Sequence, residues 1–194
     1  MKTINKIILV LIVSFSLSCK SQTNIINFID RCNYHSINTS DGNTYLKDVN
    51  NIYAPYVGTW KWSSGNKEMT LVLIKQTKHH VSESPFNYYK DRLVGYYIYK
   101  ENGIVVADTS GDDLQSDFGI NVSFGISCSS KVNTAMFIDV KKEKMLSVGL
   151  EMLSPTQMKF TGKIDQHSSY VNETKVRTLY SGSTFPLDMV FTKQ

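Results

Sequence analysis

The sequence predicts an all-β chain, an antiparallel meander of about nine strands, with a small up-and-down barrel as the favoured closure and a β-sandwich as the alternative. Three observations carry this. Run after run alternates apolar and polar residues, turn-forming residues separate the runs, and no stretch repeats with a helical period. Short connections favour antiparallel neighbours, and closing the sheet removes exposed strand edges.

The N-terminus reads differently. Lys2 and Lys6 precede an unbroken apolar run, Ile7 to Val13, and small residues Ser16 and Ser18 lead to Cys19. A basic head, a short apolar centre and small residues at the cut make an export signal over residues 1–18. The run falls short of the roughly 20 apolar residues a membrane span needs. "SLSC" resembles a bacterial lipobox, with Ser16 where leucine is usual, so Cys19 is the expected lipidation site. Residues 19–56 have no sustained period, and "NTSDGNTY" is turn chemistry around Asp41-Gly42. They read as a lipid-anchored tether and irregular lead-in, with residues 57–194 forming the β domain.

The strands of that domain follow in order. "VGTWKWS" (57–63) and "KEMTLVLIK" (67–75) flank the loop Ser64-Gly65-Asn66, with Met69, Leu71 and Leu73 on one face. "RLVGYYIYK" (92–100) and "IVVAD" (104–108) are joined through Asn102-Gly103, a strong hairpin signal. Phe118, Ile120, Val122, Phe124 and Ile126 alternate with polar residues and glycine. "TAMFIDV" (134–140) precedes the charged turn "KKEK", and Leu146, Val148, Leu150 and Met152 alternate again. Beyond "SPT", Met158, Phe160 and Ile164 oppose Lys159, Thr161 and Lys163. The polar stretch from Asp165 to Thr184 reads as a loop, and "PLDMVFTK" (186–193) as a closing strand with Leu187, Met189 and Phe191 inward.

Composition narrows the function. After cleavage about 176 residues remain, one domain's worth. Loss of Lys2 and Lys6 takes the net charge from +4 to +2, and the basic residues are scattered, which leaves no footprint for nucleic acid. Cys32 and Cys128 are then the only cysteines besides Cys19, and they form a candidate disulfide in an oxidising compartment.

Chemistry-bearing motifs are few. His79 and His80 are adjacent on a strand, point to opposite faces, and would need His35 or His167 to hold a metal. They read as an exposed polar pair. "DTSGDDLQSD" gathers Asp108, Asp112, Asp113 and Asp117, but its glycine comes too early for an EF-hand, so it reads as a solvated acidic turn. "GISCSS" lacks the second glycine of a nucleophile elbow at Ser127, and Cys128 has no assignable histidine. No metal, cofactor or catalytic residue is expected. Tyr88, Tyr89, Tyr96, Tyr97 and Tyr99 are the candidate binding surface, because tyrosine joins a flat apolar face to a polar tip. Core packing is the competing reading for them, as it is for Trp60 and Trp62.

Gly58-Thr59-Trp60 is similar to the Gly-x-Trp opening of lipocalins, which implies a lipocalin-like barrel. Over most of its length the chain resembles a family of short Bacteroidota lipoproteins classed only as a domain of unknown function. The likeness is carried by "SCKSQ", "VGTWKW", "LVLIK", "YYKDRLVGYYIY", "SPTQMKF" and "FPLDMVFTKQ". The resemblance implies envelope localisation and no activity.

The expectation is thus an exported protein, lipid-anchored on the periplasmic face of the outer membrane. It would be a non-enzymatic β module for a ligand or an envelope protein. An envelope hydrolase, or a structural or inhibitory partner of another envelope protein, is the alternative.

Overall fold

The computed structural model describes residues 24–117, 119–164 and 181–194. Eleven strands are present among them: β1 (Asn24–Asn27), β2 (Thr44–Lys47), β3 (Gly58–Ser64), β4 (Lys67–Val81), β5 (Tyr88–Glu101), β6 (Ile104–Asp108), β7 (Val122–Ile126), β8 (Val132–Asp139), β9 (Lys144–Ser154), β10 (Gln157–Ile164) and β11 (Asp188–Lys193). Eight of them close an antiparallel barrel in the order β3-β4-β5-β7-β8-β9-β10-β11, with β11 returning to β3. The all-β class is as the alternation predicts, and the barrel closure is as the removal of exposed strand edges predicts.

The alternation works because each strand keeps one face dry. On β9, Leu146, Val148 and Leu150 are buried, and on β10 Met158 and Phe160. The interior is filled with side chains. The Tyr97 ring stacks on Phe137 at 5.4 Å, and Phe185 meets both edge-on at 5.3 and 6.1 Å. Trp60 is fully buried and donates its indole N–H to Tyr56 O at 2.7 Å, and Trp62 packs at the core's margin. Met189 and Phe191 of the closing strand point inward, while Leu187 is only partly buried against the core.

Two expectations are corrected. Residues 24–56 are not a tether. β1 and β2 pair in parallel, β2 adds in parallel to β5, and Ile26, Phe28, Tyr53 and Tyr56 belong to the core. These apolar residues come in runs too short to show a period, so their order depends on partners far away in sequence. The strand expected over Phe118–Ile126 begins at Val122. Gly119 turns the chain at φ 76°, and Asn121 is engaged by Asp112 through its amide N–H at 2.8 Å. Phe118 lies outside the described residues, as does most of the polar stretch Asp165–Thr184.

Two glycines are fixed for different reasons. At Asn102-Gly103 both φ angles are positive (53° and 76°), the type I′ geometry that matches the twist of the β5–β6 hairpin. Gly95 lies in mid-strand, where an added Cβ would come 1.9 Å from Val72 O on β4. Gly95→Ala is expected to cost about 1–3 kcal/mol or more by overpacking, measured as a fall in urea midpoint. Gly103→Val, with nothing within 4 Å of the added Cβ, should cost about 1–3 kcal/mol through backbone strain alone. An unchanged melting temperature in the Gly103→Val variant would count against the I′ turn.

Candidate functional site

β5 is 14 residues long and pairs with β4 along one edge. Its other edge is shared by three strands. Tyr89 and Lys90 face β2, Leu93 to Gly95 face β7, and Ile98 to Glu101 face β6. Asp91 and Arg92, between β2 and β7, pair with neither. The β5–β7 ladder ends at Leu93–Phe124, so the two strands splay apart beyond it. A cleft of about 310 Å³ opens in this seam, in part walled by Phe28, Arg31 and Tyr53 of the lead-in.

Buried carboxyl groups hold the lead-in there. Asp91 accepts from the Tyr45 hydroxyl (2.6 Å), the Asp48 N–H (3.0 Å) and the Lys78 N–H (2.9 Å). Lys78 can donate because β4 bulges between Gln76 and His79, with Lys78 at φ 53°. Asp48 accepts from the N–H groups of Ile52 (2.7 Å) and Tyr53 (3.0 Å) and from the Lys75 ammonium (2.9 Å). That fixes Tyr53, whose hydroxyl crosses the seam to donate to Phe124 O at 3.1 Å. Burial, reinforced by Asp91 at Tyr45 and by Asp48 at Tyr53, pushes both phenols well above their ordinary range, so both stay protonated donors. Cys32 and Cys128 are joined as a disulfide (Cα–Cα 6.2 Å), which pins the 3-10 turn Phe28–Asn33 beside the end of β7.

On the outer face, Arg92 clamps the loop between β6 and β7. Its Nε donates to Gln76 Oε1 (2.6 Å), and its Nη1 and Nη2 to Ser116 O (2.9 Å) and Leu114 O (2.7 Å). His79 Nε2 lies 2.5 Å from Asp117 Oδ1. Burial raises the Asp117 pKa, but the His79 hydrogen bond and charge, the Ser82 N–H and Arg92 together outweigh it and hold Asp117 below its ordinary value. Lys90 lines the same cleft and is treated otherwise. Among the described residues its ammonium has no hydrogen bond or ion pair. Burial, with the Arg92 charge nearby, lowers its pKa despite the opposing pull of Asp117.

The candidate binding surface is divided by strand alternation. Tyr97 and Tyr99 are fully buried in the barrel and offer no surface, which corrects that part of the expectation. Tyr88 lines the cleft and packs at the core's margin, Tyr89 stacks on His80 at 4.7 Å, and Tyr96 is half-buried. His79 and His80 point apart, but they are not simply an exposed pair, because His79 is half-buried on Asp117 while His80 meets Asn87 Oδ1 at 2.8 Å. The acidic-loop residues do not converge. Asp108 and Asp113 cap their own turns, Asp112 holds Asn121, and Asp117 holds His79. Ser127 bonds Ser129 and the Lys131 N–H. Cys19 and His167 lie outside the described residues. The residues that matter most here, Asp48, Lys90, Asp91 and Arg92, were not singled out from the sequence. The signal for the last three is a run of consecutive charges, Lys90-Asp91-Arg92, in a stretch from Tyr88 to Tyr99 that is otherwise uncharged; Asp48 has no such signal.

Asp117 gives the site a pH dependence. Its folded pKa is depressed, so its stabilisation is full above the ordinary aspartate value and is lost as pH falls through the folded one. Asp117→Asn should destabilise the protein at pH 7 by about 1.5–3 kcal/mol, the range for a hydrogen bond to a charged group. The melting-temperature gap between wild type and variant should close as pH falls below about 4. A gap that stays constant down to acid would exclude the ionised Asp117 carboxylate as its source.

Residues 1–194 match a family model described as a family of unknown function (DUF6705). No curated protein and no solved structure matches the chain.

Proposed function

We infer that this chain, which belongs to the family of unknown function DUF6705 along its whole length, is a non-enzymatic binding module of the cell envelope, exported and lipid-anchored through Cys19. The observation that carries the binding role is the seam cleft. The barrel interior is occupied by its own aromatic side chains, and among the hollows outside it the cleft beside β5 is the one whose walls are held by the Asp48 and Asp91 hydrogen bonds and flanked by a disulfide.

The non-enzymatic reading is supported by how the cleft's reactive groups are used. Asp91 is engaged by three donors and Asp117 by His79 and the Ser82 N–H. Ser123 and Lys90 both line the cleft, yet no hydrogen bond joins them as a nucleophile and its base would be joined. The anchoring role is supported by the basic head, apolar run and small residues before Cys19. It is supported too by the disulfide, a bond suited to an oxidising compartment.

Cell fractionation tests the anchor. Wild type should sediment with membranes and carry acyl mass on its N-terminal peptide, and Cys19→Ser should move to the soluble fraction. Wild-type protein that is soluble after lysis and free of acyl mass would end the lipid-anchor reading.

A further inference from the structure

We propose that the seam cleft takes a small organic anion, a carboxylate or phosphate monoester on a compact apolar body, with its acid group on the Lys90 ammonium. The inference rests on the cleft being the binding site and adds what it binds.

The argument begins with which charges are already committed. Arg92 uses Nε, Nη1 and Nη2 on Gln76, Ser116 and Leu114. Asp91 is held by three donors, and Asp117 by His79 and the Ser82 N–H, so neither carboxylate is free to turn to Lys90. That leaves two cations lining the cleft, Lys90 and Arg31, whose side chains have no hydrogen bond or ion pair among the described residues. A partly desolvated ammonium with no anion in contact is unfavourable, and the depressed pKa of Lys90 reflects that burial, which the more distant Asp117 only partly offsets. A bound anion would relieve it.

The rest of the lining selects the body of the ligand. Phe28, Leu46, Ile120 and Phe124 are buried apolar residues bordering the cleft, and Met136 borders it as well. The Tyr88 hydroxyl, its pKa raised by burial and then by Asp117, remains a donor. At 310 Å³ the cleft is near the lower end of the roughly 300–1,000 Å³ range of ligand pockets. That suits a single ring or short chain better than a long acyl tail.

The test is amide chemical-shift mapping of the ¹⁵N-labelled full chain with phenylacetate, phenyl phosphate and the neutral benzyl alcohol. Saturable shifts are expected at Ser123, Gly125 and Met136 with at least one acid, with benzyl alcohol weaker by about tenfold or more. Whichever acid binds more tightly identifies the head group. Lys90→Gln should weaken that acid by about tenfold and leave benzyl alcohol unchanged, while Lys90→Arg should retain binding. Should Lys90→Gln fail to fold, Arg31→Gln, outside the barrel strands, should weaken the acids selectively. Equal binding of the acids and the alcohol, or acid binding indifferent to both charge removals, would overturn the anion assignment and leave the cleft as a binding site. Absence of cleft shifts with all three probes would overturn the assignment and the cleft reading together.

Discussion

The Asp91 carboxyl group accepts three hydrogen bonds where water scarcely reaches, and its donors come from three separate places: the Tyr45 ring, the backbone at Asp48 and the β4 bulge at Lys78. A buried carboxyl group deprived of partners is far more costly than the net gain from any one bond. The lead-in therefore cannot drift from β5 without stranding that group. Asp48 passes the constraint on, because its own oxygens order the turn that presents Tyr53 to Phe124. The barrel's β5–β7 seam has only three residue pairs. It stays closed because a chain segment that belongs to none of the barrel strands is wedged against it.

This arrangement separates the binding space from the barrel's interior. Eight strands enclose about enough room for their own side chains, or for one small ligand where those side chains are small. Here they are large. Trp60, Tyr97, Phe137, Phe160 and Phe191 all point inward and are buried, and Phe185, from the segment before β11, adds another ring. The seam cleft lies where β5 changes partner, outside that filled interior.

The barrel was legible in the sequence wherever one face of a strand meets water, as in β9 and β10, because burial on one side and hydration on the other impose the period of two. The I′ turn at Asn102-Gly103 was legible because its backbone geometry excludes most other residues. The tyrosine cluster shows the limit of reading by composition. Tyr97 and Tyr99 lie on the same strand face as Leu93, so alternation itself assigns them to the core and leaves Tyr88 and Tyr96 for the other face. Tyr89 has the inward parity too, but it lies where β5 has left β7 for β2, stacked on His80. The cleft was not legible at all. Its walls come from segments near residues 28–31, 46–53, 88–92, 119–125 and 135–136 and from Asp117, brought together by pairing across long sequence separations. No local pattern records that β5 divides one edge among three strands.

The position of β11 carries a consequence for the order of assembly. Although last of the strands in sequence, it lies between β10 and β3, and its residues Thr192 and Lys193 pair with Lys61 and Trp60, about 130 positions earlier. Until that strand has emerged, β3 and β10 both present bare edges and the ring stays an open sheet. A chain delivered from its N-terminus, whether from a ribosome or through a translocation pore, thus remains unclosed for nearly the whole of its delivery. Closure is then a single late event, with the longest loop to be drawn in arriving last.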